Sequence, residues 1–392
     1  MKKKLFAAMM LVALSASTAF AATNDTIKFT VIKENPITSI KNQSRSGTCW
    51  CYSTLGFLEA ELLRKGKGTF DLCESFVVHH TMLDRAKAAV RMHGDVSFAE
   101  GGSFYDVLYC MKNYGLAPQD AMPAPGTLQG DSLFNFSELS AVAGAVVEKL
   151  AKGKQSKLTP IWANNISAIY DNYLGKLPEK FDYEGKTYTP TEFVKYLGLD
   201  ADDYISLSSY THHPFYEKFV VEVPDNWRWA QSYNLPLNEL MEVMDYAVRN
   251  GYTIAWGSDV SEKGFGRNGV ATVPLDDKDK DLSHSDAARW TGTDGMAEKA
   301  ITAKGEKTIT QEMRQIAYDN WETTDDHGMV IYGLAKDDEG NEYFIVKNSW
   351  GEYGNYKGIF YASKPFVAYK TMNIVLHKDA LPKNIAKKLG IK

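Results

Sequence analysis

Four polar residues that lie far apart in the chain constrain its fold more than any other feature. Gln43 and Cys49 stand near the start of the sequence, and His327 and Asn348 stand near the end. A cysteine, a histidine and an asparagine in this order, with a glutamine shortly before the cysteine, are the parts of a thiol-nucleophile hydrolase. They can act together only if the fold brings both ends of the chain to one cleft.

Each of these residues has a separate chemical role. Cys49 is expected at a helix N-terminus, where unpaired N–H groups and the positive dipole end lower a thiol pKa. His327 is the expected base, and as an imidazolium it would lower that pKa further. Asn348 could accept the other imidazole N–H and fix the tautomer. Gln43 could donate its amide to an oxyanion, joined by the backbone N–H of Cys49.

The composition is that of a globular protein. The chain has 392 residues, of which 44% are hydrophobic and 24% are charged, so one large domain or two lobes with a sizeable core are expected. The formal net charge is −5. This acidic balance makes nucleic-acid binding an unlikely function.

The first 21 residues have the pattern of a signal peptide. Lys2–Lys4 are positive, Leu5–Leu14 are apolar but too short to span a bilayer comfortably, and Ala19–Ala21 form a small-x-small cleavage site. We expect residues 1–21 to be removed and the mature domain to comprise residues 22–392. The alternative is a retained N-terminal membrane anchor. The prediction is an exported protein, periplasmic or secreted, without a stable membrane anchor.

The remaining cysteines and histidines favour structural roles. Four cysteines are too few for a disulfide scaffold, although export would permit a Cys73–Cys110 disulfide, and Cys51 is expected to be a small buried residue. The pairs His79–His80 and His212–His213 are expected to pack or to form hydrogen bonds, because no further ligands stand at metal-binding spacing. No metal or cofactor is predicted. Asp326 is interpreted as a turn residue and not as a third catalytic acid.

The hydrophobic patterns predict helices first and strands later. The predicted helices cover residues 49–64, 73–92, about 104–114, 137–155 and 239–250, the last with Asn238 as N-cap, and the predicted strands cover 252–258, 328–334, 342–348, 358–362 and 371–376. Residues 115–132 are rich in Pro and Gly and are expected to be irregular. The charged run 276–281 is expected to be a solvated loop, and the basic residues after 382 a solvated helical tail.

Several sequence motifs together resemble those of the papain-like cysteine peptidases, and within them the bleomycin hydrolase / aminopeptidase C family. These motifs are Asn42-Gln43, Gly47–Trp50, Glu100–Gly102, Tyr210–Phe215, Val223–Trp227, Trp321–Met329 and Val346–Gly351. The interval from Cys49 to His327 is roughly twice the 130–150 residues of ordinary papain-like enzymes. The extra length falls at approximately residues 115–235, where the resemblance leads one to expect an insertion.

The resemblance implies a fold, a site and an assembly. The fold is an α+β, papain-like two-lobe fold with a helical N-terminal lobe, a β-rich C-terminal lobe and a helical insertion. Cys49, His327 and Asn348 would be catalytic, and Gln43 would serve the oxyanion. The backbone of Gly101 and Gly102 would pair with a peptide substrate, since glycine lets another backbone approach closely. A homo-oligomer, a hexamer in the family, is also implied.

The sequence departs from the family in two ways, and these leave alternatives open. Relatives are usually cytosolic, and they carry a C-terminal arm that blocks one side of the cleft and restricts the enzyme to aminopeptidase activity. This chain has the pattern of a signal peptide, and we expect it to end about where that arm would begin. The expected activity is that of an aminopeptidase that acts on peptides through a thioester. The alternatives are an open-cleft endopeptidase, an acyl transferase and a catalytically silent peptide-binding protein.

Overall fold

The computed structural model describes residues 27–262, 264–266, 268–275 and 303–391. The expected signal peptide and the charged run 276–281 lie outside these residues. Within them, no helix is both long enough and apolar enough to cross a bilayer.

Helices dominate the first half of the chain and recur in the second half. They are α1 Cys49–Arg64, α2 Glu74–Arg91, α3 Phe104–Asn113, α4 Ser137–Ala151, α5 Trp162–Leu174, α6 Pro190–Leu197, α7 Leu237–Arg249, α8 Gln311–Asp319, α9 Lys364–Lys370 and α10 Lys383–Lys388. The bounds of α1 are those predicted from sequence, and α2, α3 and α4 lie within the ranges predicted for them.

Strands occur along the whole described chain and are most numerous in its second half. They are β1 Thr30–Glu34, β2 Phe181–Tyr183, β3 Lys186–Tyr188, β4 Tyr204–Ser208, β5 Lys218–Val220, β6 Gln231–Asn234, β7 Ile254–Ser258, β8 Val270–Ala271, β9 His327–Lys336, β10 Glu342–Lys347, β11 Ile359–Ser363 and β12 Thr371–His377. Strands β2 and β3 form a separate hairpin. The others form one sheet in the order β5-β6-β4-β12-β7-β9-β10-β11-β8, with β1 paired to β9. The strands predicted near β7 and β9–β12 are confirmed.

Helix α1 lies between the helical and sheet layers. It packs against α2 and α3 on one side and against β9 and β7 on the other. It is therefore buried almost all round, and apolar residues such as Leu55, Phe57 and Leu58 are fully buried. A helix that is buried on every side has a fixed position. The residue at its N-terminus, Cys49, is held just as firmly.

A buried polar cluster anchors the chain that leads into α1. The Lys41 ammonium lies 3.1 Å from Glu59, 2.8 Å from Glu74 and 2.7 Å from Asp71. Glu59 also accepts hydrogen bonds from the Thr38 hydroxyl and from the Leu72 backbone N–H. Because buried charges are tolerated only when they are paired, this cluster fixes the backbone directly before Gln43.

Helix α7 begins differently from the prediction. Asn238 lies inside the helix, and the N-cap position is taken by Pro236. The Leu237 N–H donates to the side chain of Gln311 on α8 at 2.7 Å. The cap is therefore supplied by a residue distant in sequence, and a local pattern cannot reveal such a partner.

The middle region, approximately 115–235, is not wholly helical. It contains α4, α5 and α6, but it also contains the hairpin β2–β3 and the strands β4, β5 and β6. Strand β4 pairs with β12 in antiparallel orientation and with β6 in parallel orientation. This region therefore extends the main sheet and packs helices beside the N-terminal ones.

The basic C-terminal segment is helical but only partly solvated. Ile385 of α10 is fully buried in the core of the β-rich lobe. The Lys388 ammonium lies 2.7 Å from Glu239 of α7. The segment is held to the domain by apolar contacts, to which Leu389 also contributes, and by this ion pair, and Ile391 after it lines the main cleft.

Candidate active site

Cys49 is the first residue of α1. Thr48 stands at the N-cap, and its carbonyl accepts the N–H groups of Cys51 and Tyr52 at 2.9 and 3.2 Å. The first N–H groups of a helix have no partner within the helix. Two backbone N–H groups, those of Trp50 and Gly328, hydrogen-bond to the Cys49 thiol. The thiol thus lies at a positive helix end and directly beside the residue that follows His327.

His327 and Asn348 come together through the pairing of two strands. His327 is the first residue of β9, and Asn348 follows the last residue of β10, where Lys347 pairs with Val330. The His327 Nε2 and Asn348 Oδ1 atoms are 2.7 Å apart, and the Ser349 N–H also donates to this Oδ1 at 2.7 Å. Since Oδ1 only accepts, Nε2 carries the proton, and the Nδ1 lone pair is free to act as a base.

Trp350 covers this histidine–asparagine pair. Its ring stacks on the His327 ring with centroids 4.6 Å apart and an interplanar angle of 28°. His327 is 5% exposed and Asn348 is 1% exposed. A hydrogen bond that is shielded from water is stronger than an exposed one. Trp350 therefore helps to fix the orientation of the imidazole.

Gln43 is held by contacts at both ends of its amide. The Ser349 hydroxyl donates to Gln43 Oε1 at 2.7 Å, and Gln43 Nε2 donates to the Ser46 carbonyl at 2.8 Å. The Gln43 backbone N–H also donates to the Ser349 carbonyl at 2.8 Å. These contacts settle which amide atom is the nitrogen and leave its second N–H available to another acceptor. They also tie Gln43 to the segment that carries Asn348.

One cleft brings the predicted residues together. Its volume is about 1030 Å³, and Gln43, Cys49, Gly101, Gly102 and His327 line it. Asn348 lies behind His327 and does not line this cleft. These five residues belong to three separate segments of the chain, around residues 43–49, 101–102 and 327. The long-range assembly expected from the sequence is therefore present.

The two glycines pack closely against protein side chains. A Cβ atom on Gly101 would lie 1.9 Å from an Asp225 oxygen, and one on Gly102 would lie 2.8 Å from the Trp50 ring. The Gly101 carbonyl accepts a hydrogen bond from buried Arg85. These contacts by themselves require glycine at both positions.

Burial shifts the pKa values of the Cys49 thiol and the His327 imidazole. Desolvation raises the pKa of the Cys49 thiol to about 12 and outweighs the hydrogen bonds from the Gly328 and Trp50 N–H groups, which lower it. Desolvation also lowers the pKa of His327 to about 4, although its bond to Asn348 acts in the opposite direction. The sequence suggested a lowered thiol pKa, and the enclosure of the thiol reverses the sign of that shift.

Acidic side chains stand in the same cleft. Asp225 and Asp325 both line it, and both raise the pKa of the Cys49 thiol by repulsion. Desolvation, together with repulsion by Asp225 and Asp326, raises the pKa of Asp325 to about 7. Asp326 accepts hydrogen bonds from the Ser261 N–H and the Thr324 hydroxyl, as expected for a turn residue. The part of the cleft beside Cys49 therefore carries acidic side chains.

The sequence analysis missed several of these contributors. It gave no role to Ser349, Trp350, Asp225 or Asp325. Each of them lies inside a motif that was singled out, directly beside or close to a named residue. Their position inside those motifs was the only sequence signal for these four residues, because the contacts that they make join segments distant in sequence.

The other cysteines and one histidine pair are structural. All four cysteines are free thiols, so the possible Cys73–Cys110 disulfide is not formed. Cys51 is fully buried, as predicted. His79 bonds to Asp171 at 2.9 Å, and His80 stacks on Tyr114 at 4.2 Å. These contacts lie away from the cleft, which is lined by none of Cys51, Cys73, Cys110, His79 and His80.

Comparison with known proteins decides the family. The model of the Peptidase C1-like family matches residues 5–391, which is nearly the whole chain. The chain belongs to the Peptidase C1-like family. It is a cysteine peptidase, as the motifs around Cys49, His327 and Asn348 predicted.

Named relatives of this peptidase C1-like chain are aminopeptidases. Aminopeptidase G of Lactobacillus delbrueckii subsp. lactis is 25% identical over 400 residues, which cover 90% of this chain and 83% of the relative. Aminopeptidase C of Lactobacillus helveticus is 24% identical over 413 residues, which cover 91% and 85%. The match to the aminopeptidase C branch confirms the family predicted from sequence.

A solved structure supports the fold of this peptidase C1-like chain. PepW from Lactobacillus rhamnosis HN001 superimposes with a TM-score of 0.69 at 20% sequence identity. The match covers 93% of this chain and 85% of PepW. The predicted papain-like α+β fold is confirmed.

Proposed function

We propose that this chain is an exported aminopeptidase that hydrolyses peptide bonds through a thioester on Cys49. The observation that supports this most strongly is the arrangement of three groups. The thiol stands at the start of α1, beside Gly328, and the adjacent His327 is held by Asn348 under Trp350. This arrangement matches the nucleophile, base and orienting group of a triad.

In the first half-reaction, Cys49 Sγ attacks the substrate carbonyl carbon while its proton passes to His327 Nδ1. The tetrahedral intermediate then collapses, the C–N bond breaks and His327 gives the proton to the leaving amine. In the second half-reaction, water attacks the thioester and gives a proton to His327. The C–S bond breaks, the acid leaves and the proton returns to the thiol, so the enzyme is regenerated.

The raised thiol pKa and the lowered imidazole pKa fit this mechanism. Taken separately, each group prefers its neutral form in the enclosed cleft. Moving one proton from Cys49 to His327 creates both charges at once, and their attraction in a low-dielectric site offsets much of the desolvation. A neutral His327 above about pH 4 can accept this proton at neutral pH.

Replacement of Gln43 should weaken catalysis without removing it. Because its free N–H is placed to stabilise the oxyanion, Gln43→Ala should lower kcat by about 10²–10³-fold with little change in KM. Gln43→Glu keeps the acceptor for Ser349 but loses the N–H donors and adds a negative charge, so its loss should be at least as large. Steady-state kinetics would measure both effects. Wild-type kcat in Gln43→Glu would exclude the oxyanion role.

The preference for free N-termini rests on charge. The substrate's amino terminus is positive at neutral pH, and Asp225 and Asp325 line the cleft near Cys49. Matched peptides with free and N-acetylated termini would test this. We expect kcat/KM to be at least about 100-fold higher for the free peptide, since acetylation removes the positive charge that would pair with the Asp325 carboxylate. Equal cleavage of both peptides would instead support the open-cleft endopeptidase.

Asp325→Asn provides a matched control for that experiment. It keeps the size of the side chain and removes the charge, so the preference for the free peptide should shrink. In the wild type, the Asp325 carboxyl gains its charge as the pH rises through about 7. The preference should therefore increase over that range, until the substrate amine loses its own charge at about pH 8.

Export is supported by the residues at the N-terminus. Lys2–Lys4, the apolar Leu5–Leu14 and the cleavage pattern Ala19–Ala21 fit a signal peptide. Expression with its own leader in a bacterial host, followed by N-terminal sequencing of the periplasmic fraction, should give a chain that begins at Ala22. An intact N-terminus in the cytosolic fraction would contradict export.

A further inference from the structure

Two adjacent histidines and a glutamate converge on the surface beside the cleft. His212 Nε2 lies 3.1 Å from one oxygen of Glu222, and His213 Nε2 lies 2.8 Å from the other. All three ligand atoms lie within 4.8 Å of one another. The side chains are 30%, 34% and 54% exposed, so solvent reaches all three. The sequence analysis missed Glu222, which the strand β5 brings back to the histidines.

We propose that His212, His213 and Glu222 form a binding site for a Zn²⁺ ion, independent of the peptidase mechanism. Two imidazole nitrogens and one carboxylate are a ligand set that Zn²⁺ accepts, with water in the fourth position. Ligands around tetrahedral zinc stand about 3.3 Å apart, given bond lengths of about 2.0–2.1 Å. The separations of 3.1 and 2.8 Å between the histidine nitrogens and the two Glu222 oxygens are close to this spacing.

The two histidines are held in place by the residues around them. The Gln315 side-chain amide lies beside His212 Nδ1, with its nitrogen at 3.0 Å and its oxygen at 3.4 Å. Once Nε2 binds an ion, Nδ1 carries the ring proton and can donate it to that oxygen. The His212 ring also stacks on Tyr318. The His213 ring packs against Phe219 with centroids 4.8 Å apart. Partners that hold the second nitrogen of a ligand histidine fix the orientation of its ring and tune metal affinity.

The backbone at this site is equally well fixed. The side chain of fully buried Asn234 donates to the carbonyls of Tyr210 and His213 at 2.7 and 2.9 Å. The Tyr318 hydroxyl donates to the Glu222 carbonyl at 2.9 Å. The ligands therefore project from a rigid turn and a fixed strand end, so little ordering is needed when an ion binds.

The site is next to the substrate cleft but does not face it. Val221 and Val223, on either side of Glu222, both line the cleft, as does Asp225. A bound ion would fix this wall without touching Cys49 or His327. Its role would be to stabilise the cleft wall, and it would take no part in proton transfer.

Zinc binding should be measured on the full chain carrying Cys49→Ala, because a thiol and an imidazole in the cleft can also bind zinc. Isothermal titration should give one Zn²⁺ per chain, with no comparable binding of Mg²⁺ or Ca²⁺, which prefer oxygen ligands. Glu222→Ala and the double variant His212→Ala/His213→Ala should weaken the affinity by about 100-fold or more. Gln315→Ala should weaken it by about 10–100-fold.

The exposed His93 lies outside this cluster, and His93→Ala is the matched control, with unchanged affinity expected. Co²⁺ should give the visible absorption of a four-coordinate site without a thiolate charge-transfer band. Since Glu222 is exposed, Glu222→Ala should fold normally even if the double variant does not. Equal zinc affinity in the Cys49→Ala chain with and without Glu222→Ala would overturn the proposal, as would no measurable binding by either.

Discussion

Cys49→Ala should reduce peptide hydrolysis by about 10⁵-fold or more, because it removes the atom that forms the thioester. Removing a nucleophile from a triad has effects on the order of 10⁶-fold in kcat. The side chain is small and partly exposed at the start of α1, so the fold should persist. Peptide binding should also persist, since the oxyanion and cleft residues remain. Steady-state kinetics and peptide affinity, measured on the same preparation, would give both quantities.

Cys51 is the matched control for this variant. It lies two residues away on the same helix, but its side chain is fully buried and faces the Glu74 carbonyl at 3.8 Å. Cys51→Ala should keep kcat/KM within a few-fold of wild type even if it lowers stability. Normal turnover by Cys49→Ala would contradict the mechanism. A comparable loss in both variants would instead indicate a general effect of changing α1.

His327→Ala should lose activity to nearly the same extent, by about 10⁴-fold or more, because nothing else in the mechanism carries the proton. The wild type should also show a defined acid limb. The pKa of His327 is lowered to about 4, so the imidazole becomes protonated only as the pH falls through that value. A protonated imidazole cannot accept the thiol proton. In the wild type, kcat/KM for an N-acetylated peptide, whose binding does not depend on the charge of Asp325, should therefore be level down to about pH 5 and fall below it.

Asn348→Ala provides the comparison that separates proton transfer from orientation. Asn348 touches Nε2 of the imidazole and not the reacting atoms, and Trp350 still covers the ring. Asn348→Ala should lose clearly less activity than His327→Ala. Added imidazole should restore activity only to the His327→Ala variant. If the asparagine variant were the less active of the two, the roles assigned here would be wrong.

Local patterns in the sequence predicted much of the fold. The apolar spacing in Cys49–Arg64 gave the bounds of α1, and alternating or continuous apolar runs gave strands β7 and β9–β12. These elements are long or strongly patterned, so their own side chains determine them. The four site residues were also predicted, since each stands in a specific motif. The structure brings Gln43, Cys49 and His327 to one cleft, with Asn348 behind the histidine.

Features that depend on distant contacts were not predictable. The cap of α7 comes from Gln311, and Ser349 holds Gln43 across most of the chain. The raised pKa of Cys49 depends on the groups that the fold packs around the thiol, including Asp325 and Asp225, which no local pattern records. Glu222 meets His212 and His213 only because the intervening strand turns back. In each case the partner is set by tertiary packing.

The strands β4–β6 show the same limit in the middle region. They are short, with three to five residues each, and they pair with β12 and with one another. Short strands have weak intrinsic signals and are stabilised mainly by their neighbours. The Pro-rich stretch before them therefore suggested an irregular segment, whereas strands β4–β6 extend the main sheet.

The central claim is that Cys49 carries the acyl group. The wild-type chain should be mixed with an amino-acid p-nitrophenyl ester, quenched in acid during the initial burst, and examined by intact-mass and peptide-mapping mass spectrometry. The account predicts one acyl group per chain, attached to Cys49, released by neutral hydroxylamine and missing from Cys49→Ala. An acyl group on another residue, or a full burst with Cys49 unmodified, would contradict it.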